Sequence, residues 1–487
     1  MQELLAQLEP PWADHAIASV YAVLMSPRKR KELGVYFTPP HLVDHLLERL
    51  RSSGVDLSAV RIRDPAAGGA AFLVPVARLM VREWADRGMS ETGIIRQLRG
   101  RLVGREIDRG LARLANALVR RMLVRECGFH RAGVSGLELV KVGDSLVAKD
   151  DPIDHEVGNP PYLRLNQSKQ LKWVGQFRDI ASGRLNLYSM FVWRALCNLA
   201  PGGLLGYVLP ASFLSGPEFS TFRRRILEVA DVVAIDVVEK RTDVFLDVIQ
   251  DACFLVLRRR HVTGVPDHGS PSRTSSGVVR AHGEFIPRGY VDLSASGGPW
   301  VLPGDKPEQP AVRLVDYGYK GMVGYLVANR QGERLFRRNA DGRVPLLWAK
   351  CITPDGRFDF ERGRSATKAN GRGFVSVPVA APYVVRRACV LVQRTSSRSQ
   401  IRRLVAAALP RSFVRRHGGV VAENHVIVLV PNRAGAVSPT VLARVINGPA
   451  ANAAFARICG TASISVRVLE QLSLPPPSDI DGMSRDA

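Results

Sequence analysis

Asn159-Pro-Pro-Tyr162 sets a side-chain amide, two prolines and an aromatic ring directly after the strand-like stretch HEVG. As a turn the tetrapeptide could simply end that strand, because Asn and Pro are common turn residues. It also has a chemical logic that a turn does not need. An aromatic exocyclic amine is a poor nucleophile, since its lone pair is delocalised into the ring. Two acceptors gripping its hydrogens draw the nitrogen toward a tetrahedral, nucleophilic form. The Asn159 side-chain oxygen and the Pro160 carbonyl can be those acceptors, with the prolines fixing the backbone that aims them. Tyr162 can stack on the flat base.

Three further turns carry acids. Asp64-Pro-Ala-Ala-Gly-Gly-Ala-Ala-Phe72 follows a short strand and precedes an apolar helix, and its small residues let the backbone approach a ligand closely. Gly104-Arg-Glu-Ile-Asp108 puts Glu106 near a strand end, where an acid is the usual partner of ribose hydroxyls. The gap from Asp64 to Glu106 exceeds the roughly 20 residues of a dinucleotide fold, which argues against a nicotinamide enzyme. Gly143-Asp-Ser-Leu146 places Asp144 at a third strand end. Any one of these acids could be a solvated loop residue. Successive strand ends on one rim of one sheet would make them a site.

Such a rim needs a mainly parallel α/β sheet, and the first 260 residues alternate accordingly. Strands are expected at 60–64, 101–108, 137–145, 155–161 and 204–210, with two more at 232–238 and 251–259. HLVDHLLERLRSSG reads as an amphipathic helix with Leu42, Val43, Leu46, Leu47 and Leu50 on one face. Thr38 is expected to cap it, Pro39 and Pro40 to fill its first turn, and Gly54 to end it. Residues 261–285, rich in Gly, Ser, Pro and Thr, read as a linker. The chain beyond residue 285 reads only as mixed α and β.

Composition narrows the partners. The 487 residues carry 68 Lys and Arg against 45 Asp and Glu, a formal charge of +23, and 46% are hydrophobic, which excludes a mostly disordered chain. Residues 1–260 hold 37 basic and 29 acidic residues, net +8, and residues 261–487 hold 31 and 16, net +15. Within 361–420 there are 13 Lys or Arg and one acid, Glu361, so a phosphate-contacting face is expected there. No run of about 18 apolar residues suggests a membrane span, and the opening residues do not read as a secretory signal. Six scattered Cys without a CxxC pair argue against a disulfide framework or zinc site and fit a reducing cytoplasm. No metal is assigned.

Together these motifs resemble the amino-group DNA methyltransferases that use S-adenosylmethionine. Gly34-Val-Tyr-Phe-Thr-Pro39 looks like the family's cofactor-lid motif, and DPAAGGAAF resembles its DPACGSGxF loop. Glu106, Asp144 and NPPY follow in the family's order, and Asn186-Leu-Tyr-Ser-Met-Phe191, LAPGGLLGYVLP and VFLDVIQDACFLVL continue it, over about residues 30–260. The order of lid, cofactor loop, NPPY and basic block is that of the gamma class, and NPPY there is typical of N6-adenine modification. The resemblance implies a Rossmann-like methyltransferase fold with a mainly parallel seven-stranded sheet, plus a C-terminal mixed α/β target recognition domain. The implied division is a helical extension over 1–30, a catalytic domain over 31–260, a linker over 261–299 and the recognition domain over 300–487.

It implies roles as well. Asn159, Pro160, Tyr162 and Phe245 would be catalytic, with Phe245 stacking on a flipped base opposite Tyr162; its other reading is a core aromatic. Thr38, Asp64, Ala66, Gly68, Glu106, Ile107, Asp144 and Pro161 would hold S-adenosylmethionine, Glu106 by the ribose and Ile107 on the adenine ring. Ala70 departs from the family's usual glycine and is expected to narrow the approach to the methionine. Arg386, Arg387, Arg394, Arg398, Arg402 and Arg403 are candidates for DNA phosphates, and Gln393, Asn424 and His425 for bases. The function implied is a cytoplasmic, monomeric modification enzyme of a restriction–modification system acting on adenine in double-stranded DNA, with a cognate restriction endonuclease on the same site as a further partner. N4-cytosine methylation, protein-glutamine methylation and non-catalytic DNA binding are the alternatives.

Overall fold

Leu42, Val43, Leu46, Leu47 and Leu50 are all buried, so the amphipathic stripe read from the sequence is the face by which that helix packs on a sheet. In a computed structural model of the chain, the residues described are 8–26, 28–30, 38–165, 172–181, 185–239, 252–261, 273–280, 282–304, 312–328, 332–366, 369–378, 381–395, 402–458 and 464–476. Two compact units form: residues 1–214 with 218–303, and residues 215–217 with 304–487.

The first unit runs α1 (Pro10–Leu24), α2 (Pro40–Ser52), β1 (Ile62–Asp64), α3 (Leu73–Asp86), α4 (Glu91–Arg101), β2 (Leu102–Glu106), α5 (Arg109–Arg125), β3 (Val140–Val142), β4 (Ile153–Gly158), α6 (Leu187–Asn198), β5 (Leu199–Pro210), α7 (Ser220–Val229), β6 (Ala230–Val238), β7 (Ala252–Arg259), β8 (Ser275–Val279) and β9 (Phe285–Tyr290). All seven expected strand segments form strands. Their sheet order is β3-β2-β1-β4-β5-β7-β6-β8-β9. The five strands from β3 to β5 are parallel, and β7 runs antiparallel between β5 and β6. Both faces are covered. Leu204 and Val208 of β5 join one apolar core with α2, α3 and α5, while Leu205, Tyr207 and Leu209 join a second with α6 and α7.

Three expectations need correction. The sheet has nine strands, because β8 pairs in parallel with β6 and β9 folds back on β8. Both lie in the stretch expected to be linker. The small residues there suit a strand whose neighbours come close: a Cβ on Gly277 would stand 2.2 Å from the Phe285 ring. The unit also extends further than expected. Arg223 of α7 is fully buried and donates to the carbonyls of Phe213, Gly297 and Gly298, which ties down the chain after β9. Trp300 is fully buried in the second of these cores. The helix cap also differs: Pro39 takes the N-cap position of α2, and the Thr38 side chain does not cap it.

Charged pairs cross the core. Arg63 of β1 donates to Glu156 of its register partner β4 at 2.5 and 2.7 Å, and the Tyr207 hydroxyl donates to the other Glu156 oxygen. Asp236 of β6 has no exposure and accepts from His45 Nε2 at 2.9 Å and from Arg49 Nε and Nη2 at 2.6 and 2.7 Å. The Arg49 guanidinium lies 4.3 Å from the centre of the Phe285 ring, so the same side chain fastens α2 to β9.

The second unit is built on two four-stranded sheets. Its strands are β10 (Tyr319–Val323), β11 (Leu335–Phe336), β12 (Arg343–Leu347), β13 (Phe374–Ser376), β14 (Cys389–Gln393), β15 (Ala406–Leu409), β16 (Val421–Ala422) and β17 (Val426–Pro431). The orders are β10-β17-β14-β15 and β11-β13-β12-β16. The helix Pro439–Asn447 comes after β17, and Asn447 brackets β15 by accepting from the Ala406 amide and donating to its carbonyl, both at 2.8 Å.

Burial alone would raise the Asp236 carboxyl, yet the bonds from His45 and Arg49 outweigh it and hold the group below its usual value. A depressed carboxyl contributes stability above its unfolded pKa and loses it as pH falls through the folded value. Asp236→Asn is therefore expected to cost about 3–5 kcal/mol at neutral pH, with the deficit shrinking in acid as the native carboxyl protonates. Urea unfolding at pH 7 and in acid checks this; a variant within about 1 kcal/mol of the wild type would release α2 from dependence on this contact.

Candidate active site

Parallel pairing decides where the acids go. β1 lies between β2 and β4, with Ile62 opposite both Leu102 and His155. The carboxyl ends of the strands therefore share one rim, and the chain winds away from β1 in opposite directions at the β1/β4 junction, where such sheets open a crevice. Asp64 ends β1, Glu106 ends β2, Asp144 follows β3, and Asn159 follows the last residue of β4.

The rim loops are stitched together. The Gly68 amide, presented at a φ of 49°, donates to Glu106 Oε2 at 2.9 Å, and the Asp108 amide donates to Oε1 at the same distance. The Ser145 hydroxyl donates to the Pro65 carbonyl at 2.6 Å. Asp64 Oδ1 accepts from the Ala66 amide at 3.1 Å, and Asp144 Oδ1 accepts from the Leu146 amide at 2.9 Å. Burial pushes the Asp64 carboxyl well above the usual range and also raises Glu106, whose backbone donors only partly offset it. Acids shifted by burial and gathered on one rim are a candidate functional site. Ile107, beside Glu106, is 57% exposed, an apolar side chain free to lie on a ring.

Asn159 is the more telling residue. Its Nδ2 donates to the Thr38 hydroxyl at 3.0 Å, whereas its Oδ1 is buried and has no hydrogen-bond partner among the described residues. Leaving such an acceptor unpaired costs about 1–3 kcal/mol, so it calls for a donor. Pro160 is buried, Pro161 is half-buried, and the half-buried Tyr162 is held by its hydroxyl on the Val208 carbonyl at 3.2 Å. Its ring meets Tyr188 edge-on at 6.3 Å.

Ala70 explains itself in energy terms. It stands at a φ of 59° and is buried, with its amide on the Ala67 carbonyl at 2.7 Å. Left-handed backbone costs a side-chain-bearing residue about 1–2 kcal/mol. Burying one methyl returns about 0.8 kcal/mol, and restricting the unfolded chain about 0.5–1 kcal/mol, so alanine nearly breaks even with glycine here. Its neighbourhood was not legible in the sequence: Pro11 and His15 of α1, Thr38, Gly69 and Ala70 line one cavity of about 30 Å³. Sequence pattern alone makes that first helix a mere extension. Phe245 and most of the lid motif, Gly34 to Phe37, lie outside the described residues.

The basic block of the second unit separates into different kinds of arginine. Arg386 and Arg387 are exposed, and Arg387 leans on the Pro431 carbonyl at 3.2 Å. Arg394 is half-buried and donates to the Asn424 carbonyl at 2.9 Å, and Arg403 lies over Phe455 at 5.3 Å. Arg402 is half-buried, and Arg398 lies outside the described residues. Gln393 does not fit base reading, because its amide donates inward to the Ala349 and Ile352 carbonyls at 3.3 and 2.8 Å. His425 is exposed and Asn424 half-buried. Among the described residues no three His, Cys, Asp or Glu side chains are grouped to hold a metal, and no helix is long and apolar enough to cross a membrane.

Residues 141–245 match the family model described as Eco57I restriction-modification methylase. The chain is 29% identical over 184 residues to the Type II methyltransferase M.XhoI of Xanthomonas vasicola, which covers 36% of this chain and 33% of that protein. To the Type II methyltransferase M.BsuBI of Bacillus subtilis it is 25% identical over 317 residues, 60% of this chain and 59% of the other. The chain thus matches from a third to three fifths of the length of these two relatives. Among solved structures it is similar to the Type IIL restriction-modification enzyme MmeI in complex with DNA, with a TM-score of 0.57 and 14% identity over 95% of this chain and 72% of that one. What that likeness carries is fold: an α/β, Rossmann-like methyltransferase fold with a further mixed α/β unit.

Gly158 lets β4 lie close against Asp64, since a Cβ there would stand 2.9 Å from Asp64 Oδ1. Gly158→Ala is expected to destabilise by about 1–3 kcal/mol through overpacking. Gly100→Ala, in α4 with nothing within 4 Å of its added Cβ, is expected to stabilise by up to about 1 kcal/mol. Parallel unfolding curves check the pair; equal effects would mean that Asp64 does not confine β4.

Proposed function

We propose that this protein is a site-specific DNA methyltransferase that transfers a methyl group from S-adenosylmethionine to N6 of an adenine, as the modification enzyme of a restriction–modification system. The observation that carries the reading is the buried Asn159 Oδ1, which has no hydrogen-bond partner among the described residues and lies on the same rim as Asp64, Glu106 and Asp144. The match over residues 141–245 to the restriction–modification methylase model supports it, as does the similarity to Type II methyltransferases. The residues present suit the cofactor: an acid with free lone pairs for ribose hydroxyls, an exposed Ile107 for a ring, and a small-residue loop at Asp64–Ala70 for close approach.

S-adenosylmethionine, when bound, supplies an electrophilic sulfonium methyl group. The work of the chain is to make an amine attack it. Asn159 Oδ1 and the Pro160 carbonyl accept the two N–H bonds of the target amine, Tyr162 stacks on the base, and the amine's proton leaves after transfer. Thr38, Asp64, Ala66 and Gly68 would hold the cofactor's methionine side, Pro161 would touch the cofactor, and Glu106, Ile107 and Asp144 would take its nucleoside. An amine inside a stacked duplex cannot reach this rim, so the base is rotated out. Cytosine N4 poses the same problem of a delocalised amine, and product analysis separates it from adenine.

Under this reading the first unit performs the chemistry and the second holds double-stranded DNA, with Arg386 and Arg387 on phosphates. The enzyme acts as a monomer in the cytoplasm, and a companion endonuclease cuts the same unmodified sequence.

Asn159→Ala is expected to abolish transfer while leaving S-adenosylmethionine binding near that of the wild type, because the lost acceptor acts at the reacting nitrogen. Radiolabelled transfer to DNA, RNA and protein in parallel, followed by nucleoside analysis, checks substrate and product. Label appearing only in protein, or as N4-methylcytosine, would replace the adenine reading.

Neutralising Arg386 and Arg387 together should weaken binding to all duplexes alike and flatten the dependence of log affinity on log salt by up to about 2. A change confined to one base position would instead make these arginines readers of sequence. No change in slope or specificity would place them on the solvated surface.

A further inference from the structure

An amide has two faces with opposite chemistry, and only one of them helps an amine. With Oδ1 toward the reacting nitrogen, Asn159 accepts one of its hydrogens; turned by half a revolution about its last bond, it would present N–H groups to N–H groups. The Thr38 hydroxyl stands at the other end of that amide, 3.0 Å from Nδ2, on a residue with only 2% exposure. We infer that Thr38 is the positioning residue that sets Asn159 for catalysis, accepting from Nδ2 so that Oδ1 is presented to the target amine. The inference rests on the proposed methyltransferase function and adds to it a role at the nucleophile, distinct from the cofactor contact that the family resemblance implies for the same residue.

The geometry favours a hydroxyl here. Its two lone pairs can take the Nδ2 proton and still leave its own proton for another acceptor. A valine of nearly the same shape would leave a half-buried amide N–H without an acceptor in the productive orientation. Nothing would then hold that orientation over its reverse. Thr38 is itself held in a stiff place. Pro39 and Pro40 come next, at the start of α2, with Pro39 at φ −58° and ψ 148°, and α2 is fastened to β6 through His45 and Arg49 on Asp236. The cavity shared with Pro11, His15, Gly69 and Ala70 lies against the same residue, so α1 and the Asp64–Phe72 loop border it too. A line of fixed groups thus runs from the buried Asp236 through α2 and Thr38 to the amide that faces the reaction. The helix-cap role expected of Thr38 would have given its hydroxyl to a backbone that Pro39 caps without it.

The test uses the full chain with Thr38→Val and Thr38→Ser. Three quantities are measured: the single-turnover rate of methyl transfer into duplex DNA, S-adenosylmethionine affinity by calorimetry, and the nitrogen-15 signal and exchange rate of the Asn159 side-chain amide, assigned by its loss in Asn159→Ala. Thr38→Val is expected to slow transfer by roughly tenfold to a hundredfold, as befits a lost buried hydrogen bond. Rates are taken at saturating cofactor, so that any weakening of the cofactor contact is read separately by calorimetry and the expected loss remains in the rate. The Asn159 amide signal should shift and exchange faster, and Thr38→Ser should restore all of it. An unaltered amide signal with a wild-type rate would overturn the inference, and a loss confined to cofactor affinity would leave Thr38 as a cofactor contact only. If the wild type moves no methyl to DNA, the proposed function fails, while the amide signal of Thr38→Val still decides whether Thr38 holds Asn159.

Discussion

The pairing of β1 with β2 on one side and β4 on the other is the constraint on which the site depends. Parallel strands in register end at the same edge, so the residues that close each strand are neighbours in space however far apart they lie in sequence. The β1/β4 pair is also locked by charge. Arg63 and Glu156 face each other in register, and both are almost wholly buried. Two ions so placed are costly to desolvate unless their remaining sites are satisfied, and Tyr207 and Asp150 supply the additional partners. Such a pair stabilises little compared with apolar packing, yet any slip in register would strand a buried charge. Register, more than net stability, is what it secures.

With the rim in place, the loops above it are fixed by backbone donors. Glu106 takes amides from Gly68 and from Asp108, so one carboxylate aligns the loops after β1 and β2. Ser145 then ties the loop after β3 to Pro65. The acids thereby sit on one rim where burial raises Asp64 and Glu106, and among the described residues the hydrogen bonds they accept come from backbone amides. That arrangement leaves lone pairs for a polar, positively charged ligand, which is the kind of ligand the proposed function requires.

The far side of the sheet answers a different need. A strand such as β6 at the edge of a sheet would present unpaired backbone groups, and β8 and β9 cover it. Phe285 of β9 packs on Arg49 and His45, the two side chains that hold Asp236, so this added hairpin also shields the contact that anchors α2. The part of the chain that composition alone marks as a linker therefore helps to fix the helix that carries Thr38 into the site.

What the sequence determined by itself is local and periodic. Strand-forming runs, the apolar stripe of α2, and the order of the Asp64, Glu106, Asp144 and Asn159 turns are properties of neighbouring residues, and the alternation of strand and helix implies the parallel sheet that aligns those turns. Three things needed the tertiary structure. Whether residues 275–290 are linker or strand depends on the free edge of β6, to which short, Gly- and Ser-rich segments give no local clue. Whether Gln393 reads a base or braces a loop depends on which carbonyls come within reach, here those of Ala349 and Ile352. And the partner of the Thr38 hydroxyl lies 121 residues away, at the end of a strand that only the fold brings beside it. A hydroxyl bonds whatever donor or acceptor is nearest in space, and nearness across such a separation is settled by packing.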